Sequence, residues 1–139
     1  MMKIFEYCPR QMARMRRRNG FSRDFLIRAF SPIFNCSEME KFSPGAGKSP
    51  SFFFFTANKC FAVKTLKDEE LNLLVKKGFL EKYCEHIKKN PNSLLCRFYG
   101  VFKVKIKFMK PIPIIIMDNI MGFRPEEVFK VYDLKGSTF

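Results

Sequence analysis

Residues 45–64, GAGKSPSFFFFTANKCFAVK, constrain the fold more than any other part of the chain. Small residues and a proline make a loop, and four consecutive phenylalanines then form an apolar β-type run. Ala57-Asn58-Lys59 supplies turn chemistry before a second β-type run that carries Lys64 near its end. The stretch reads as a loop entering a hairpin, with strands at residues 52–56 and 60–66.

The flanking sequence supplies helices and more strands. Residues 9–19 read as a short basic helix, with Pro9 at its first position and Gly20 just past its end. Met12 and Met15 form its narrow apolar edge, beside Arg14, Arg16, Arg17 and Arg18. Ser22 caps a second helix whose buried stripe is Phe25, Leu26, Ala29 and Phe30, and Pro32 is expected to stop it. Residues 35–50 carry Asn, Ser, Pro and Gly and read as loop.

A helical region starts near Asp68 and ends near Asn90. Leu71, Leu74 and Val75 share one side of an ideal helix, whereas Leu80, Tyr83, Cys84 and Ile87 fall on the opposite side. The change predicts a break at Gly78. Phe102, Val104, Ile106 and Phe108 alternate with Lys103, Lys105 and Lys107, which predicts a strand with one buried and one wet face. Lys110-Pro111 reads as a turn and residues 114–117 as an apolar strand buried on both faces, while residues 128–137 suit strand or helix equally. The expected fold class is α+β, an antiparallel β-sheet with flanking helices, the helices coming first.

The formal net charge of +13 bears on partners: nucleic acid, an anionic membrane surface or a phosphorylated ligand all fit. Seven of the nine arginines precede residue 29, so the front of the chain is the most basic. Against nucleic acid, no RNA- or DNA-reading motif is present and the phenylalanines read as core residues. Five scattered cysteines and one histidine, His86, give no metal-ligand spacing, so no metal site is expected within the chain. The cysteine usage fits reduced thiols in an intracellular protein. The N-terminus lacks a signal-type apolar segment, and the longest apolar run, 112–117, is too short to span a bilayer, so membrane contact is expected to be peripheral.

Gly45-Ala46-Gly47-Lys48-Ser49 invites comparison with the phosphate loop that precedes a helix. That motif needs a glycine where Phe42 stands, and here a strand follows instead. A loop of small residues leading into a hairpin, followed by Phe61-Ala62-Val63-Lys64, fits the phosphate-covering arrangement of kinases. An ordinary surface turn and a lysine on a wet strand face would each explain one half of the pattern, and their combination favours the phosphate site. The lysine row at 103–107 and the arginine cluster at 14–18 read as solvated faces, both able to meet anionic lipid.

The chain resembles the phosphatidylinositol phosphate kinases, most closely those acting on phosphatidylinositol 4-phosphate. The likeness lies in Gly47 to Thr56, Val63-Lys64-Thr65, Asn92 to Val101, Met117-Asp118-Asn119 and the specific run Tyr132-Asp133-Leu134-Lys135-Gly136-Ser137-Thr138. Glu6-Tyr7-Cys8-Pro9 and residues 20–32 are also similar to that family's entry helices.

The resemblance implies basic N-terminal helices over residues 1–34 and the ATP-binding N-lobe of a lipid kinase over 35–139. It implies ATP and Mg²⁺ as cofactors, with Gly47, Lys48, Ser49 and Ser51 over the phosphates and Lys64 in contact with them. Met117, Asp118 and Asn119 would lie along the adenine, and Lys135, the one catalytic candidate, close to the transferring phosphate. The catalytic base and metal ligands are expected in a second lobe that these residues do not include, so the chain alone is expected to be inactive. Pro50 departs from the family's usual glycine and removes an N–H from the loop. The implied partners are a phosphoinositide lipid and an anionic membrane, with a homodimer compatible for the full-length protein. The implied location is the cytosolic face of membranes. The alternative is a non-catalytic basic module that binds phosphoinositide membrane or nucleic acid.

Overall fold

The computed structural model describes residues 2–40, 52–120, 125–130 and 132. Among them are five strands: β1 (Met2–Glu6), β2 (Phe53–Phe55), β3 (Phe61–Thr65), β4 (Phe98–Ile106) and β5 (Ile112–Asp118). Five α-helices accompany them: α1 (Pro9–Arg18), α2 (Arg23–Ala29), α3 (Pro32–Glu40), α4 (Asp68–Val75) and α5 (Phe79–Lys89). The strands form one antiparallel sheet in the order β1-β4-β5-β3-β2. The expected α+β class on an antiparallel sheet is what the chain adopts.

Alternation along β5 divides the interior. Ile115 joins Met12, Met15, Leu71, Leu74, Leu80, Tyr83, Ile87 and Val101 beneath α1, α4 and α5. Its neighbour Ile116 packs with Phe61, Tyr99 and Ala29 and with the rings of Phe21, Phe25 and Phe30, at the end covered by α2. Adjacent residues of a strand face opposite ways, so helices cover the sheet on both faces. An irregularity between Phe98 and Gly100 lets Tyr99 and Val101 enter different cores.

The predicted hairpin forms with β2 paired to β3, and Lys59 at a φ of 58° closes a tight loop through its N–H to the Thr56 carbonyl at 2.8 Å. The predicted break also forms. Lys77 and Gly78 both take left-handed backbone conformations between α4 and α5, and the reorientation brings both apolar stripes into one core. Val75, expected in the first stripe, stays exposed.

Several expectations are corrected. The chain opens with a strand, because β1 extends the sheet along β4 with Met2 opposite Ile106 and Glu6 opposite Phe102. Residues 35–40 are helical: α2 ends before Pro32 as expected, but Pro32 also opens α3, where a missing N–H costs nothing. Phe102 and Val104 are half-buried, Ile106 is exposed and Phe108 lies beyond the strand, because no helix among the described residues covers that end of the face. β5 is buried at Pro113 and Ile115 but half-open at its other positions. Phe5, Phe34, Phe53, Phe79, Phe108 and Phe129 are exposed, so the phenylalanines are not all core. Pro125–Glu127 forms a 3-10 turn, and most of the tail, 131 and 133–139, lies outside the described residues.

α3 buries little apolar surface and is held by polar bonds. Asn35, 2% exposed, donates to the carbonyls of Ala29 and Ser31 and accepts from the Ala57 N–H, each at 2.8 Å. Lys59 reaches Glu38 at 2.8 Å from the hairpin turn. Asn35→Leu is expected to lower the unfolding free energy by about 2 kcal/mol, because buried polar groups lose their partners. Urea denaturation measures this, and unchanged stability would show that α3 is not anchored through this side chain.

Candidate functional site

Register places the lysine at the end of β3. Lys64 pairs with Ile115 and Ala62 with Met117, while Phe53 and Phe55 of β2 pair with Lys64 and Ala62. Partners across an antiparallel ladder project to the same side. Phe53, Phe55, Ala62, Lys64 and Met117 therefore share the sheet face of Ile115, on which α4 packs. Ala62, itself buried, lies between the phenylalanines, which meet edge to face at 5.0 Å, and Met117.

Glu70 fixes the ammonium group. Lys64 Nζ donates to Glu70 Oε1 at 2.8 Å, and the Lys67 N–H donates to Oε2 at 2.7 Å. One carboxylate thus ties β3 to the first turn of α4. Lys67 precedes the helix and its side chain has no acceptor to return to it, so Glu70 alone supplies the side-chain cap. The Lys64 hydrogen bond, then the Lys67 N–H, draw the Glu70 carboxyl below its ordinary value of 4.5.

Of Glu69, Glu70, Glu81 and Glu85, the four glutamates of α4 and α5, Glu70 is the one paired with Lys64. Two of the others have different roles. Glu85 pairs with Lys89 at 2.7 Å, and Glu81 accepts a bond from Cys8 Sγ at 3.1 Å. Burial, with that bond, pushes the Cys8 thiol up to about 12. The signal for Glu70 was weak, because a lysine at the cap position hides the usual helix-start pattern.

The three residues after Ile116 diverge. Met117 faces the Lys64 side. Asp118 alternates to the other side, where burial raises its carboxyl against the opposing pull of Arg97. Asp118 in turn helps raise the thiols of Cys60 and Cys96, although burial is the larger cause for both. Asn119 is buried, its N–H bonds to the Cys60 carbonyl at 3.1 Å and its amide donates to the Lys59 carbonyl at 2.8 Å. It clasps the end of β5 to the start of β3.

Gly47, Lys48, Ser49 and Ser51, with Pro50, lie outside the described residues, as does Lys135. Among the described residues, no group of three or more His, Cys, Asp or Glu could hold a metal ion. A fixed cation beside an apolar, partly open surface fits a ligand with phosphates and a flat ring. No such fit to Mg²⁺ exists among the described side chains. On α1, Arg16 is committed to Glu6 at 2.7 Å and to the Tyr99 carbonyl at 2.6 Å, whereas Arg10, Arg14, Arg17 and Arg18 are exposed. Among the described residues no helix is long and apolar enough to cross a membrane.

A family model described as phosphatidylinositol-4-phosphate 5-kinase matches residues 34–139. A probable phosphatidylinositol phosphate kinase of Dictyostelium discoideum is 35% identical over 136 residues, covering 97% of this chain and 18% of its own length. The phosphatidylinositol 4-phosphate 5-kinase its3 of Schizosaccharomyces pombe is 38% identical over 116 residues, covering 83% of this chain and 14% of the relative. A phosphatidylinositol 4-phosphate 5-kinase of Plasmodium falciparum is 43% identical over 96 residues, covering 66% of this chain and 5% of the relative. The chain therefore spans less than a fifth of the length of these relatives.

Glu70→Ala is expected to cost about 1 kcal/mol, from the helix cap and a partly exposed ion pair together. Glu70→Gln is expected to cost less, since its amide oxygen still accepts from Lys67. The folded carboxyl titrates below 4.5, so its contribution is complete above that pH and is lost as pH falls through the folded value. Urea titrations at neutral pH and in acid check this: the gap between the unsubstituted chain and Glu70→Ala should close in acid.

Proposed function

The chain belongs to the phosphatidylinositol-4-phosphate 5-kinase family, and on that premise we propose that it forms the ATP-binding lobe of an enzyme that phosphorylates a phosphatidylinositol phosphate. The proposed substrate is phosphatidylinositol 4-phosphate, converted to the 4,5-bisphosphate. The observation that carries this reading is the Lys64–Glu70 pair on the sheet face shared with Ala62 and Met117. A lysine so held offers a fixed positive charge to α- and β-phosphates, which lowers the cost of orienting them. Phe53, Phe55 and Met117 offer apolar surface to a purine ring. ATP would bring Mg²⁺ to neutralise its phosphates, and no step is assigned to the metal from this chain's side chains.

Gly47, Lys48, Ser49 and Ser51 are proposed to cover the phosphates, Asp118 and Asn119 to border the base, and Lys135 to approach the transferring group. The proposed setting is the cytosolic surface of an anionic membrane, where the basic residues concentrate the protein near its lipid substrate. The base that orients the lipid hydroxyl is assigned to a second lobe, so these 139 residues are expected to bind ATP without turnover above background.

Calorimetric titration of the 139-residue chain with ATP tests the proposal. Binding should weaken at least about tenfold in Lys64→Ala, the loss of about one strong charge contact. Circular dichroism and urea denaturation of that variant establish that it is folded. Absence of ATP binding, or binding indifferent to Lys64, overturns the proposal. Vesicle or RNA binding without ATP binding would then favour the non-catalytic basic module.

A further inference from the structure

The corner where β1 meets the β4–β5 turn has a composition that the fold does not use. The turn closes with the Met109 N–H on the Ile106 carbonyl at 3.1 Å, which puts Phe108 at its third position with a φ of 67°. That position normally takes glycine or asparagine, because a Cβ is strained there. Phe108 is nevertheless a large aromatic residue and 95% exposed. Among the described residues its ring meets Lys107, whose Nζ lies 4.8 Å from the ring centre. Met109 is 54% exposed. Across the β1–β4 ladder, Met2 pairs with Ile106 and is 60% exposed.

Lysines surround these apolar groups. Lys3 pairs with Lys105 across the ladder, Lys107 and Lys110 flank the turn, and all four are exposed. Glu6, the carboxylate of β1, stands at the far end of that strand opposite Phe102 and is bound by Arg16. A strained, solvent-facing aromatic with no packing role is the kind of outlier that points to function. Apolar tips ringed by cations suit one environment above others, the boundary between anionic headgroups and acyl chains.

We propose that the β4–β5 turn is a membrane anchor, with Phe108 and Met109 entering the headgroup region of an anionic bilayer and Lys3, Lys105, Lys107 and Lys110 meeting its phosphates. The inference rests on the membrane partner proposed above and names the surface that meets it. The tip is the end of a hairpin, with Phe108 and its sequence neighbour Met109 both exposed. Single-stranded nucleic acid is instead held in grooves with aromatic platforms.

The chain contains no tryptophan, so Phe108→Trp introduces a single tryptophan whose emission can be excited apart from that of the tyrosines. Vesicles of phosphatidylcholine with phosphatidylserine should shift its emission to the blue, and brominated lipids should quench it. Phosphatidylcholine alone should do neither. Phe108→Asn relieves the strained turn, so it should fold at least as well and yet sediment with the anionic vesicles about tenfold more weakly, the loss of one inserted side chain. ATP binding should be the same in Phe108→Asn as in the unsubstituted chain, which separates this inference from the nucleotide site. Sedimentation with anionic vesicles that leaves the F108W emission unchanged, or that Phe108→Asn does not weaken, overturns the anchor while sparing the membrane partner. No sedimentation overturns both. Quenching of F108W by single-stranded RNA but not by vesicles assigns the tip to nucleic acid and overturns the proposal.

Discussion

Strand β5 is the constraint on which the rest depends. It lies between β3 and β4, and its alternation sends Ile115 to one core and Ile116 to the other. Its register with β3 also sets the face of Lys64, because the lysine stands opposite Ile115. A shift of one residue would turn Lys64 towards the α2 side and Val63 towards α4. Burial of Ile115 and placement of the ammonium group are therefore consequences of one pairing. Asn119 guards that pairing at its end through the Lys59 and Cys60 carbonyls.

The lysine is then tuned by a helix terminus. Glu70 divides its two oxygens between Lys64 and the Lys67 N–H, so the first turn of α4 and the direction of the lysine are specified together. The break between α4 and α5 serves the same end. A straight helix would bury either Leu71 and Leu74 or Leu80, Tyr83 and Ile87, but not both sets. The left-handed Lys77 and Gly78 let both pack beneath one sheet face, which fixes α4 against the strand that carries Lys64. Strain at Lys77, roughly 1–2 kcal/mol for a residue with a Cβ, is offset by that shared burial.

Local periodicity made much of this legible. The hairpin, the helix break, the β4 strand and the candidacy of Lys64 follow from residues close together in sequence. What escaped was set by tertiary contact. β1 is five residues long and takes its order from β4, and its Phe5 breaks the clean alternation that marks a strand. α3 has no apolar stripe because a buried amide, Asn35, anchors it. The choice of Glu70 over three other glutamates depends on where α4 begins relative to β3. Exposed phenylalanines were misjudged because composition says that rings prefer an interior without saying which rings find one.

The chain's positive charge divides into two populations with different physics. Arg16, Lys59 and Lys64 are each held by a carboxylate at 2.7–2.8 Å, and each joins two elements of the fold. Their charges are largely neutralised by their partners and act at contact distance. Arg10, Arg14, Lys3, Lys105 and Lys110 have no carboxylate partner among the described residues, and they are exposed. Their fields add and extend about a Debye length, near 8 Å at physiological salt. Salt should therefore weaken attraction to an anionic surface far more than it weakens the fold. Such a separation would let the exposed charges respond to an anionic surface without loosening the Lys64–Glu70 pair.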